Sequence, residues 1–320
     1  MWLRVLDAGP VSTIQDSGRY GFRQYGMPVS GPMDWFAFQV ANRLVGNPPG
    51  DAVIEFSLGG LCFTLDMDGL IAATGSVQLW VDRRPLPAWM AVWVRSGQEV
   101  RLTTTPYGCW GYLAVAGGLL TPPVLGSRAT FLRGRLGGVE GRPLEPGDCI
   151  LCGENDKKSY YRAGCRLGVE SIPVYSQQIT VRVVPGPQYH WFEEMGLETF
   201  YQTEFGIDEK SDRMGFRLIG SGVKGRKGDL LSEGMFFGSV QVPPDGQPVV
   251  LMADSPTTGG YPKIATLIRA DLPAFAQLIP GEGRVRFKVV TPTQARKAYL
   301  ELLEKIDFDW EEDNSLWMTA

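Results

Sequence analysis

Ten consecutive residues bring the most chemistry into the least space: Asp254-Ser255-Pro256-Thr257-Thr258-Gly259-Gly260-Tyr261-Pro262-Lys263. They hold a carboxylate, aliphatic hydroxyls, a phenol and an amine. They directly follow Pro248-Val249-Val250-Leu251-Met252-Ala253, an apolar run that reads as a buried strand. Polar groups of every hydrogen-bonding type at a strand end suit recognition of a small polar ligand. Gly259 and Gly260 fit that role because glycine tolerates positive φ and lets backbone approach a ligand closely. A tight turn between two core strands would use the same residues, and the segment alone leaves both readings open.

Other polar clusters lie outside that stretch. Thr13-Ile14-Gln15-Asp16-Ser17-Gly18-Arg19 follows the first strand and combines an amide, an acid and a guanidinium. Ser30-Gly31-Pro32-Met33-Asp34 leads into a helix whose far end carries Asn42 and Arg43. Arg213 and Arg217 stand four apart, and arginine forks bind carboxylates bidentately. That pair reads either as an anion clamp or as part of a salt-bridged surface loop. Ser232-Glu233-Gly234 and Gly238-Ser239-Val240-Gln241 add a carboxylate and an amide ahead of the strand leading to Asp254.

Several chemistries are absent. The one histidine, His190, sits among Tyr189, Trp191 and Phe192 and has no adjacent nucleophile or carboxylate partner. No GxxxxGK[ST] loop occurs, so no nucleotide-binding motif of the P-loop kind is present. The five cysteines are irregularly spaced, and Cys149-Ile150-Leu151-Cys152 is a lone CxxC, so neither a disulfide framework nor a metal site is expected. Net charge is −4 and the longest basic tracts are pairs such as Arg83-Arg84, which argues against nucleic-acid binding. The uncharged window Leu102–Ser127 is broken by prolines and glycines and does not read as a membrane span. Charge in Met1-Trp2-Leu3-Arg4 argues against a signal peptide, so a cytoplasmic location is expected.

These residues must be positioned by mostly β structure. Glycine (40) and proline (23) are frequent, and many short runs alternate with period two, such as Ile179, Val181 and Val183. Short strands punctuated by turns such as Glu145-Pro146-Gly147-Asp148 indicate a β-rich barrel or sandwich. Helices are expected over 34–44, 188–201, 271–278 and 293–306, the last with an apolar stripe of Ala295, Ala298, Tyr299, Leu302 and Leu303. The polar stretch 155–159 is the best linker. It divides a lobe over residues 1–155 from one over 156–306, with room for the lobes to exchange segments, and 307–320 forms an acidic tail.

Eight ordered motifs then carry a resemblance. They are Thr13–Arg19, Ser30–Asp34, Ala41–Asn47, Tyr112–Gly118, Leu125–Arg128, Ser211–Leu218, Gly238–Pro243 and Thr257–Pro262. In that order, from about Leu3 to about Ala298, the chain resembles the KipA-like family. That family is also called allophanate hydrolase subunit 2, the biotin-dependent carboxyltransferase family or the 5-oxoprolinase C subunit.

The resemblance implies two cyclophilin-like β-barrel lobes and a KipI-like partner (the 5-oxoprolinase B subunit). With a third component (the A subunit), the pair would open the lactam of 5-oxoproline to glutamate at the expense of ATP. Alternatives within the family are carboxyl transfer from carboxybiotin, carried by a partner, to urea or a similar amide, and non-catalytic regulation of a KipI-like kinase inhibitor. Activating a lactam carbonyl needs donors at the developing oxyanion and a positioned base. Asp254, Asp16 and Lys263 are the expected catalytic residues. Gln15, Arg19, Ser30, Asp34, Asn42, Arg213, Arg217, Gln241, Thr257, Thr258, Gly259, Gly260 and Tyr261 are the expected substrate-binding ones. No metal is expected. This chain has Pro256 where the family commonly has glutamine, which removes an amide and a backbone donor beside the two threonines.

Overall fold

The computed structural model describes residues 1–154, 159–225 and 230–307. Most of the expected linker, residues 155–158, and the tail beyond Asp307 lie outside the described residues. The described residues form two compact units, one within Met1–Tyr20, Ser30–Val174 and the stretch from Lys305 to Asp307, the other within Gly21–Val29 and Tyr175–Glu304.

In the first unit, alternation puts one apolar face on each of two sheets. The strands Cys149–Leu151, Trp2–Asp7, Gly60–Leu65, Val100–Thr104, Val77–Val81 and Arg84–Leu86 form one sheet in that order. Val11–Gln15, Val53–Ser57, Trp110–Val115, Gly69–Gly75 and Ala91–Val94 form the other. Leu3, Val5, Phe63, Leu79 and Leu102 from the first share one core with Ile14, Ile54, Phe56, Ile71 and Leu113 from the second. The helix α1 (Trp35–Val45) has every residue buried except Gln39 and Arg43. Asp34 caps its start, accepting from the Ala37 N–H at 2.9 Å, and Gly46 ends it at φ 79°.

In the second unit, seven strands close a barrel in the order Gln178–Pro185, Lys263–Leu267, Ser239–Gln241, Val249–Leu251, Gly215–Ile219, Phe205–Ile207 and Arg284–Val289. All neighbours are antiparallel except the closing pair, where Gln178–Val183 runs parallel to Arg284–Val289. Phe200 stacks on Phe287 with centroids 4.5 Å apart, and Phe216 packs on Phe275 at 5.5 Å. The fold is therefore mostly β with a few helices, as the sequence reads.

The helix expected over 188–201 is interrupted. A 3-10 turn at Tyr189–Trp191 is followed by extended backbone at Phe192 and Glu193, and α2 begins only at Glu194 (Glu194–Gln202). Buried Phe192 bridges to Gly225, where a Cβ would fall 3.1 Å from its ring, so a tertiary contact overrides the local preference. Two further helices, α3 (Leu272–Ala276) and α4 (Pro292–Glu304), lie close to their expected positions.

Candidate functional site

The expected site residues fall into two groups, one in each unit. In the first unit they belong to a buried polar layer between the five-stranded sheet and α1. Register lines up Thr13 with Glu55, Glu55 with Tyr112, and Tyr112 with Thr74, a polar row crossing four strands. The Tyr112 hydroxyl donates to Glu55 Oε2 at 2.8 Å and accepts from the Asp34 N–H at 2.7 Å. Glu55 Oε2 also accepts from the Met33 N–H at 2.8 Å, and Thr74 Oγ1 donates to the Ala37 carbonyl at 2.7 Å. Burial, reinforced by the nearby Glu55 and Asp34 charges, pushes the Tyr112 phenol well above its ordinary range. It therefore stays a donor.

The neighbouring polar side chains of this unit are turned to holding loops. Asp16 accepts from the Gly18 N–H at 2.9 Å, the Ser127 hydroxyl at 2.6 Å and the Arg128 N–H at 2.5 Å. Arg19, fully buried, donates to the Val124 and Ala129 carbonyls at 3.0 and 2.8 Å. Gln15 donates to Thr13 Oγ1 and the Thr130 carbonyl, both at 3.1 Å. Asn42 donates to the Asp51 carbonyl and accepts from Asn47, which fastens the end of α1 to Val115 and Gly117. Ser30 is buried in the left-handed region at φ 59°. Glu55 was not expected from sequence; its one signal is a lone carboxylate inside the apolar strand Val53–Ser57.

In the second unit the stretch from Asp254 to Lys263 does not fold back on itself. Leu251, Ser239 and Thr266 mark one end of the barrel strands, whereas Val249, Gln241 and Lys263 mark the other. Asp254 lies beyond the first end and Lys263 begins at the second, so the intervening loop runs the length of the barrel wall. Each end then has its own polar cluster. At the first, Arg213 donates to Asp254 from Nε at 2.8 Å and Nη2 at 3.2 Å, with both side chains under one-tenth exposed. Arg217 pairs instead with Asp245 at 3.0 Å on the surface. The two arginines do not form the clamp their spacing suggested, because each guanidinium is matched to its own carboxylate.

At the second end a ring of three side chains closes. Lys263 Nζ lies 3.0 Å from Glu233 Oε1 and donates to the Gly234 carbonyl at 3.2 Å. Gln188 Nε2 donates to the same Glu233 oxygen at 2.6 Å, and Gln188 Oε1 accepts from the Lys263 backbone N–H at 3.2 Å. Lys263 and Gln188 are buried, but the Glu233 side chain is 35% exposed. Among the described residues only Oε1 of that carboxylate is engaged. Glu233 and Gly234 pair with Gly259 and Thr258 in a two-stranded ribbon, and exposed Thr258 and Tyr261 flank it. Neither Gly259 nor Gly260 takes a left-handed backbone; Gly259 is needed for close packing, since a Cβ there would fall 2.5 Å from Met235 Cε. Gln241 is half-buried and pairs with both Val249 and Lys263. Of the ring's members the sequence reading names Lys263 as a site residue, but not Gln188 or Glu233. Their separation along the chain hides the ring.

Known proteins share this architecture. The carboxyltransferase domain, subdomains A and B, matches residues 25–289. The chain belongs to the carboxyltransferase domain family. It is 36% identical to the 5-oxoprolinase C subunit of Haemophilus influenzae over 94% of this chain and 97% of that protein. It is 39% identical to the 5-oxoprolinase C subunit of Escherichia coli over 92% of this chain and 94% of that protein. The crystal structure of the K. lactis urea amidolyase superposes with a TM-score of 0.89 at 27% identity, over 96% of this chain and 20% of that one. Among the described residues, no helix is long and apolar enough to cross a membrane.

Proposed function

We propose that this chain is the C subunit of an ATP-dependent 5-oxoprolinase, acting in the cytoplasm with a KipI-like B subunit and a third, A subunit. The observation that carries the reading is identity of 36% and 39% to two 5-oxoprolinase C subunits, each matched over more than nine-tenths of its length. The residues supply a matching chemistry. A lactam presents one carbonyl acceptor and one N–H donor. Glu233, with Oε2 uncommitted among the described residues, accepts the N–H. The Lys263 ammonium is the donor for the carbonyl oxygen as charge develops on it. Asp254 and Asp16 act at one remove, as carboxylates whose internal donors hold the Arg213 and Ser127–Arg128 segments in place. ATP is used by the complex, and this chain carries no recognisable nucleotide motif.

A second reading is carboxyl transfer to urea or a similar amide from carboxybiotin on a partner. The family match and the likeness to urea amidolyase favour it. The test is ADP release by this protein reconstituted with its KipI-like partner and the third component, run with 5-oxoproline, with urea and with neither. Release that needs both 5-oxoproline and this chain supports the first reading. Turnover of urea dependent on a biotinylated partner replaces it with the second.

A further inference from the structure

The ribbon that carries Glu233 is too small to hold itself. It has two residues on each strand, Glu233–Gly234 and Thr258–Gly259, and isolated two-stranded ribbons are at best marginal in water. One end is tied down by Lys263 and Gln188. The other continues one step, with the Met235 N–H donating to the Thr257 carbonyl at 3.0 Å. A residue from far along the chain closes that end. Arg23 lies in the segment Gly21–Val29, which belongs to the second unit, on a 3-10 turn ended by Gly26 at φ 80°. Its Nη2 donates to the Met235 carbonyl and reaches the Thr257 carbonyl at 3.5 Å. Its Cζ stands 5.3 Å from the centroid of the exposed Phe236 ring, within cation–π range.

We infer that Arg23 is a positioning residue, whose guanidinium pins the Met235–Thr257 end of the ribbon and so holds Glu233 against Lys263. This rests on the reading of the Glu233–Lys263–Gln188 ring as the ligand site. The planar fork matters as much as the charge. One nitrogen serves two carbonyls while the plane lies over a ring, which an ammonium does not reproduce. Partial burial lowers the Arg23 pKa, as expected of a guanidinium withdrawn from water, yet leaves it charged at any physiological pH.

The test uses R23A, R23K and F236L in the full chain, with two readouts. The first is the rate at which an amine-acetylating reagent modifies Lys263, followed by peptide mass spectrometry on this chain alone. The second is KM and kcat for 5-oxoproline in the reconstituted complex. Loss of one charge-assisted contact corresponds to about tenfold. R23A is therefore expected to label Lys263 about tenfold faster and to raise KM about tenfold, with a smaller change in kcat. R23K and F236L should fall between it and the parent. Guanidinium chloride at low millimolar concentration should slow Lys263 labelling in R23A and leave the parent protein unchanged, whereas a merely destabilised fold would not recover. Equal labelling in folded R23A and parent overturns the inference, as does faster labelling with unaltered kinetics. A parent complex inactive on 5-oxoproline would count against the proposed function instead, and the labelling and rescue arms would still decide the role of Arg23. Should R23A fail to fold, R23K and F236L carry both readouts.

Discussion

Replacing Arg213 by methionine separates a holding role for Asp254 from a catalytic one. The pair is bidentate, with contacts of 2.8 and 3.2 Å and both side chains under one-tenth exposed. A hydrogen bond to a charged group contributes about 1.5–3 kcal/mol. Removing one partner of a buried pair leaves the other charge stranded, at a cost of about 3–5 kcal/mol. With a urea m-value of about 2–3 kcal/mol/M, the unfolding midpoint of R213M should fall by about 1–2 M. The double variant R213M/D254L replaces both charges with apolar groups and should recover most of that loss, because an apolar pair of similar volume is about as stable as the ion pair. Urea titrations of the isolated chain, followed by circular dichroism, give both numbers. Turnover in the reconstituted complex is measured in parallel and scaled to the folded fraction. A loss below about 1 kcal/mol in R213M would mean that the pair does not hold this end of the barrel in place. So would a D254L/R213M double variant that folds normally but has lost turnover, since Asp254 would then act on the substrate itself.

Other outcomes follow from the same arithmetic. Tyr112→Phe removes the hydroxyl that serves Glu55 and the Asp34 N–H, and should cost about 2–3 kcal/mol in the same titration while leaving turnover per folded molecule unchanged. Asp148 receives both Arg142 terminal nitrogens at 2.8 Å, and that partner holds its carboxyl below the ordinary range. Its contribution is therefore present above about pH 4 and lost as pH falls through the lowered pKa. The stability gap between parent and D148N, on the order of 1 kcal/mol for this partly exposed pair, should hold steady from neutral to mildly acid pH and close below about pH 4.

Local signals were legible and distant pairings were not. Pro32 followed by Phe36, Val40 and Leu44 announced α1, and the alternation of Val181 and Val183 announced a barrel strand, because both periods reside in neighbouring residues. The unbroken helix expected over 188–201 failed at Phe192, whose place is decided by Gly225 on another segment. The sequence marks the Asp254–Lys263 stretch as polar but not as extended. Only the barrel register shows that its two ends lie at opposite ends of the wall. Glu55, Gln188 and Glu233 draw their importance from partners between 22 and 75 positions away. No spacing rule reaches that far, and burial alone distinguishes a lone carboxylate in an apolar strand from a surface one.

A ring of seven strands cannot alternate direction all the way round, so an odd count obliges one seam to run parallel. Here that seam joins the first and last strands of the barrel, from Gln178 beside Arg284 to Val183 beside Val289. The start of the first strand at Gln178 and the end of the last at Val289 therefore lie at opposite ends of the barrel, about 20 Å apart for six residues of strand. Tension applied between those two points would load the rungs of the seam together, in shear, rather than peeling them one by one. A barrel built this way resists being drawn open between the two ends of that seam.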